Sequence, residues 1–293
     1  MGGMVARAPF EDEGSDMDVF QEEALSIDAL LLARGYLYRL FGKFFGGEPN
    51  RRALEALSGT ATLEALGAYA EENQELGHLR DYLAEIASTI DDGATERAAS
   101  EFTRAFIGPA ALPALPWGAP YKSGDPVMFQ KGTLAVREAY RKHGMKPAHF
   151  QHVPDDHLAL ECNFMALLSA ELLDSFESAK WDQARDAIIE QKAFLDQFMA
   201  GWVPSYAREL SASHKAPFYG RLAAGAGAFI LLDSIFLGEM LQWIEDVQDE
   251  SLTRWDEMVA NISGTSPLLR EGLAAVSALE FKFADEYELS ALS

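Results

Sequence analysis

Residues 18–45, DVFQEEALSIDALLLARGYLYRLFGKFF, place Leu25, Leu32, Tyr36, Leu40 and Phe44 four or seven positions apart. That recurrence lines side chains along one stripe of an α-helix, and Gly46, Gly47 and Pro49 then break it. One long first helix is predicted, from about Asp18 to the glycine pair. The same period returns over residues 51–70, 73–90, 94–106 and 129–143, and again from just after Pro154 to about Phe176. Stretches 181–200, 203–213, 217–243, 249–262 and 267–287 continue it, with short polar or glycine breaks between. Val, Ile and Thr number only 27 of 293 residues, too few β-branched side chains for a sheet-rich protein. The expected fold is all-α: a single compact multi-helix domain over residues 18–246. A flexible acidic lead (1–17) precedes it, and a helical extension (247–293) with Trp255, Leu268 and Phe281 follows.

Asp and Glu number 46 against 24 Lys and Arg, a formal charge of −22. A nucleic acid is held mainly by basic side chains neutralising phosphates, and no basic patch interrupts the acidity, so no nucleic-acid partner is expected. The charge falls unevenly, −11 in residues 1–100, −3 in 101–200 and −8 in 201–293, which leaves the middle third nearly balanced. Cys162 is the lone cysteine; it excludes an internal disulfide and a Cys-rich metal site, and it fits a reducing, cytoplasmic setting. The longest charge-free apolar run, residues 222–232, ends at Asp233, short of the ~18 residues a membrane span needs. A buried helix is expected there and no integral membrane segment. Glu11, Asp12, Glu13, Asp16 and Asp18 stand where a secretory leader would be basic and then apolar, so no export segment is expected.

Helical patterning fails twice. Residues 108–126 hold Gly108, Pro109, Pro113, Pro116, Gly118, Pro120, Gly124 and Pro126, yet also Leu112, Leu115, Trp117 and Tyr121, which a solvated tether would not carry. This predicts an ordered loop or hinge. The second break, 144–156, runs into the densest polar constellation: His149, His152, Asp155, Asp156, His157 and Glu161. Three readings stand side by side. His157 and Glu161, four apart on one helical face, suit a metal with His149 or His152 completing the set, as in a helical metalloenzyme. Alternatively, Pro154 and the aspartates simply start a helix, where carboxylates meet free amides and the positive end of the dipole. In the third, the Pro-rich aromatic loop beside an acid and imidazole turn grips an extended peptide whose guanidinium groups pair with carboxylates. No H-E-x-x-H, no G-x-S-x-G, no phosphate loop with a Lys and no dinucleotide fingerprint occurs, so neither a catalytic residue nor a cofactor is predicted. Cys162, between Glu161 and apolar neighbours, reads as a packed thiol, and Gly225-Ala226-Gly227-Ala228 reads as close helix packing.

Two stretches resemble the TorD/DmsD family of cytoplasmic chaperones for molybdenum-cofactor oxidoreductases. FIGPAALPALPWGAPY (106–121) is similar to that family's F-x-G-P…L-P-A-P-P-W segment, and PDDHLALECNFM (154–165) to its E-P-x-D-H-x-x-x-E…F-M signature. FQKGTLAVREAYRKHG (129–144) and APFYGRL (216–222) are similar to further segments, so the likeness covers about residues 24–245. It implies an all-helical, non-enzymatic chaperone. Such a protein binds the twin-arginine signal peptide of a DMSO- or TMAO-reductase-like enzyme and holds the apoenzyme until its molybdopterin cofactor is inserted, before export. By motif position the binding residues are Pro154, Asp156 and His157, with Trp117 and Tyr121 as neighbours. The acidic residue that precedes the family's proline is Val153 here, which shifts weight to Asp155, Asp156 and Glu161. The resemblance implies no metal; a monomer is the default, and the loops at 108–126 and 144–156 leave room for helix exchange in a dimer. An acidic adaptor for a basic folded protein, working through the two terminal extensions, is the remaining alternative.

Overall fold

The computed structural model describes residues 13–71, 73–123, 131–149, 152–249 and 266–292. Helix α1 (Glu13–Gly46) starts before the expected Asp18, so residues 13–17 of the anticipated lead are helical. Its stripe is buried as the period requires, with Leu32, Tyr36, Leu40 and Phe44 joined by Leu37, Phe41 and Phe45. Helices α2 (Arg51–Leu57), α3 (Thr60–Ala70), α4 (Gln74–Ile86) and α5 (Asp92–Phe102) follow. The predicted 51–70 helix is two, because the chain turns at Ser58 and Gly59, and Ser58 Oγ turns back onto the Leu54 carbonyl at 3.0 Å. Asn50, Asn73 and Asp91 cap α2, α4 and α5 by accepting from their first amides.

Downstream lie α6 (Ala119–Ser123), α7 (Lys131–Lys142), α8 (Leu158–Glu177), α9 (Trp181–Phe194), α10 (Val203–Ala212), α11 (Pro217–Asp249) and α12 (Pro267–Ser277). The expected domain edge at 246 falls inside α11, and α12 packs on α1 and α3. The predicted 249–262 helix lies almost wholly outside the described residues. Helix α1 packs most extensively on α8, and Gly42 lets the two approach: a Cβ there would collide with the Asn163 side chain.

At the middle of α1 sits a charge that apolar periodicity does not announce. Arg34 and Asp233 are both fully buried and meet in a fork, Nε to Oδ1 at 2.8 Å and Nη2 to Oδ2 at 2.9 Å. Nη1 also donates to Ser169 Oγ (3.0 Å) and Gln191 Oε1 (2.6 Å), so one guanidinium ties α1, α8, α9 and α11 together. Burial opposes its charge, but Asp233 and its hydrogen bonds prevail and hold the Arg34 pKa above its ordinary value. Within α11, residues Pro217–Glu245 are long and apolar enough to cross a membrane by length and composition, more than the eleven-residue run suggests. In the fold this helix buries Leu222, Ala226, Phe229, Ile230, Leu237 and Ile244 in the core, and its Asp233 is spent on Arg34.

The predicted 267–287 helix stops at Ser277. Residues 278–292 instead form an extended strap. Phe281 packs edge-on against Phe44 (5.1 Å between centroids) and lies against Gly47, which has no side chain to obstruct it. A 3₁₀ turn (Ala284–Tyr287) leads to β2 (Leu289–Ala291), which runs antiparallel to β1 (Met145–Pro147) in the register Met145–Ala291, Lys146–Ser290 and Pro147–Leu289. The apolar spacing of the segment is satisfied by docking onto the end of α1 rather than by helix formation. This two-stranded pairing is a minor exception to a fold that is otherwise all-α.

Candidate functional site

The Pro-rich loop and the second break are joined backbone to backbone. Trp117 and His157 form an antiparallel bridge, flanked by Leu158 N to Pro116 O (2.9 Å) and Gly118 N to Asp156 O (3.1 Å). Prolines that cannot donate, at 113, 116 and 120, leave this short pairing as the loop's anchor on the start of α8. His157 is the N-cap of α8: its Nδ1 accepts from Ala159 N at 3.1 Å. Only the neutral imidazole can accept there, and burial pushes its pKa down to about 3. The helix-start reading therefore describes what the imidazole does, although the cap is His157 and not an aspartate.

Each carboxylate has an internal partner. Asp155 accepts from Arg137 Nε of α7 at 3.0 Å, and its backbone carbonyl accepts from Tyr140 OH at 2.9 Å. Asp156 accepts from Ala119 N at 2.8 Å, starting α6; burial raises its pKa, with backbone hydrogen bonds opposing. Glu161 Oε2 accepts from Trp202 Nε1 at 3.2 Å, while Oε1 has no partner among the described residues. Burial, with Asp156 adding to it, drives the Glu161 pKa well above the usual carboxylate range, against the pull of Lys122 and the Trp202 bond. Burial and Glu161 also raise the Cys162 thiol pKa, and the thiol is buried. Lys122 donates to the Phe198 carbonyl at 2.7 Å. Gly118 sits at the centre of this nexus: a Cβ there would press on Trp202 Nε1, Asp156 Oδ2 and Lys122 Nζ, all within 3.3 Å.

The seven predicted residues are thus adjacent, but not equally accessible. Pro154, Asp155, Asp156, His157 and Glu161 are buried, whereas Trp117 and Tyr121 are partly exposed. Tyr121 stacks on Trp202 (5.7 Å, 25°), donates to Glu209 Oε2 at 3.0 Å and accepts from Leu115 N at 3.2 Å. The sequence suggested carboxylates open to solvent; in this fold they are turned inward, because the Pro-rich loop, α7 and Trp202 cover them. The four-residue metal set is not assembled: His157 caps α8, Glu161 faces Trp202, and His149 and His152 lie beside Glu286 instead. Arg137, Lys122, Trp202 and Tyr287 complete the site unannounced by sequence. Tyr287 of the strap lies 4.5 Å from the His157 ring, and its carbonyl accepts from Asn163 Nδ2 at 2.9 Å. A cleft of about 610 Å³ between α4 and α11, lined by His78, Tyr82, His214 and Arg221 among others, contains none of these residues.

Fold and site together define an all-helical protein in which a proline-rich aromatic loop is clamped to a buried acid and imidazole helix start. The family profile described as nitrate reductase delta subunit matches residues 67–208. The chain is 23% identical to "Chaperone protein TorD" of Vibrio vulnificus (strain YJ016) over 205 residues, 70% of this chain and 94% of that protein. It is 28% identical over 186 residues to the protein of the same name from Vibrio cholerae serotype O1 (strain M66-2), 64% of this chain and 79% of the other. It is also 28% identical over 138 residues to "Probable Tat proofreading chaperone DmsD" of Haemophilus influenzae, covering 47% and 61%. The chain is therefore similar to TorD and DmsD chaperones, over 70% of its length in the TorD alignment.

Proposed function

We propose that this protein is a cytoplasmic, non-enzymatic maturation chaperone for a molybdenum-cofactor oxidoreductase of the DMSO or TMAO reductase type. It binds the twin-arginine signal peptide of that enzyme and holds the apoenzyme until the cofactor is inserted. The observation that carries the reading is the bridge between Trp117 and His157, which brings the two family-like motifs into one junction. Pro154, Asp155, Asp156, His157 and Glu161 hold the junction's shape. Trp117 and Tyr121, with Glu209 beside them, offer the peptide an aromatic edge and a carboxylate. Rings bury the apolar part of such a peptide, and carboxylates suit its guanidinium groups.

Calorimetry with a twin-arginine peptide tests this directly. One peptide per chain is expected, weakened at least about tenfold when both arginines become Gln, since each charge-assisted contact contributes roughly 1.5–3 kcal/mol. The double variant Trp117→Ala and Tyr121→Phe, folded by circular dichroism, should bind more weakly too. Equal affinity for the Arg and Gln peptides overturns the electrostatic mechanism; unchanged binding by the folded double variant moves the site elsewhere.

A further inference from the structure

Beside the junction, three metal-ligating side chains converge that the peptide reading does not use. His149 and His152 stand three apart on a turn closed by His152 N to His149 O at 3.3 Å, with ring centroids 5.5 Å apart. Glu286, on the 3₁₀ turn of the strap, brings Oε2 to 2.9 Å from His152 Nδ1. A ligand atom from each of the three lies within 4.8 Å of the others, and both imidazoles are exposed. Two imidazole nitrogens and one carboxylate oxygen form the donor set of a three-ligand zinc site with an open fourth position. Bound to one tetrahedral ion, such donors stand about 3.4 Å apart, and the three ligand atoms here already lie within 4.8 Å of one another.

We propose that His149, His152 and Glu286 form a surface site for a divalent transition metal of zinc type. The site is already organised before any ion arrives. Ala148 N donates to the Glu288 carbonyl at 2.8 Å, and Leu289 pairs with Pro147, so the backbone holds the two segments together without metal. An ion there fastens the strap to the segment that precedes the junction. Since Tyr287 follows Glu286 and lies on His157, the metal secures the strap's cover over the α8 cap.

The test uses the full-length chain without a polyhistidine tag, stripped with chelator and titrated with zinc chloride by calorimetry. One ion per chain is expected. His149→Ala, His152→Ala and Glu286→Ala should each lower the affinity by about tenfold or more, as loss of even an outer-shell partner does at known sites. His214→Ala, in the cleft between α4 and α11, should not. Hydrogen exchange supplies the second readout: zinc should slow exchange across residues 284–292 in the parent chain and not in Glu286→Ala. Absence of saturable binding, or parental affinity in His152→Ala or Glu286→Ala, overturns the site. Binding without slower strap exchange overturns the fastening role.

Discussion

Glu161 is held where its charge is least welcome, between a buried aspartate and an indole, with one oxygen unpartnered among the described residues. Its raised folded pKa fixes the sign of the linkage: the contribution to stability is present below the unfolded value of ~4.3 and is lost as pH rises through the folded one. Glu161→Gln removes the ionisation and keeps an acceptor for Trp202. Urea denaturation at pH 8 should show it more stable than the parent by on the order of 1 kcal/mol, with the gain shrinking toward pH 4. His157 runs the other way. Its depressed folded pKa means that stability is full above the unfolded value of ~6.5 and is lost as pH falls from there toward about 3. His157→Asn retains a capping acceptor and abolishes that titration. Melting curves from pH 7 to 4 should decline less steeply in this variant than in the parent. Both residues were legible as site candidates, because acids and imidazoles beside a proline break are conspicuous. Their inward facing was not, since Trp202 and Tyr287 reach them from separate elements.

Among the elements, the helices were the legible part, since each buries a stripe of the expected period. The strap was misread for a physical reason: Leu279, Phe281 and Tyr287 have apolar spacing compatible with a helix, but docking on α1 and pairing with β1 satisfy it better. Three-residue strands are too short for alternation to show. Phe281→Ala should cost about 3 kcal/mol in denaturant unfolding, because the ring fills the space between Phe44 and Gly47. Gly42→Ala should be costly through the opposite fault, an added Cβ that forces Asn163 and hence the Tyr287 carbonyl to move. Near-parental stability in both variants would mean that the strap contributes little to the fold.

Across the whole molecule, the Arg34–Asp233 node decides how four helices are registered. Removing one partner strands the other without water, so Arg34→Met should destabilise by roughly 3–5 kcal/mol, and the double variant Arg34→Met with Asp233→Leu should recover much of it. A melt in which the double variant is no better than the single one would show that the hydrogen bonds to Ser169 and Gln191 matter more than the charge pair. A formal charge of −22 also acts at range. Association of a cationic peptide, followed by stopped flow, should slow markedly between 50 and 500 mM salt, while dissociation changes less. The sign of the net charge was readable from composition, but the placement of its buried members was not.

Tyr287 leaves the ribosome roughly 130 residues after the imidazole it covers. At ~5–20 residues per second, that interval is on the order of ten seconds. Until then the His157 ring lacks the Tyr287 side chain that lies against it in the finished fold.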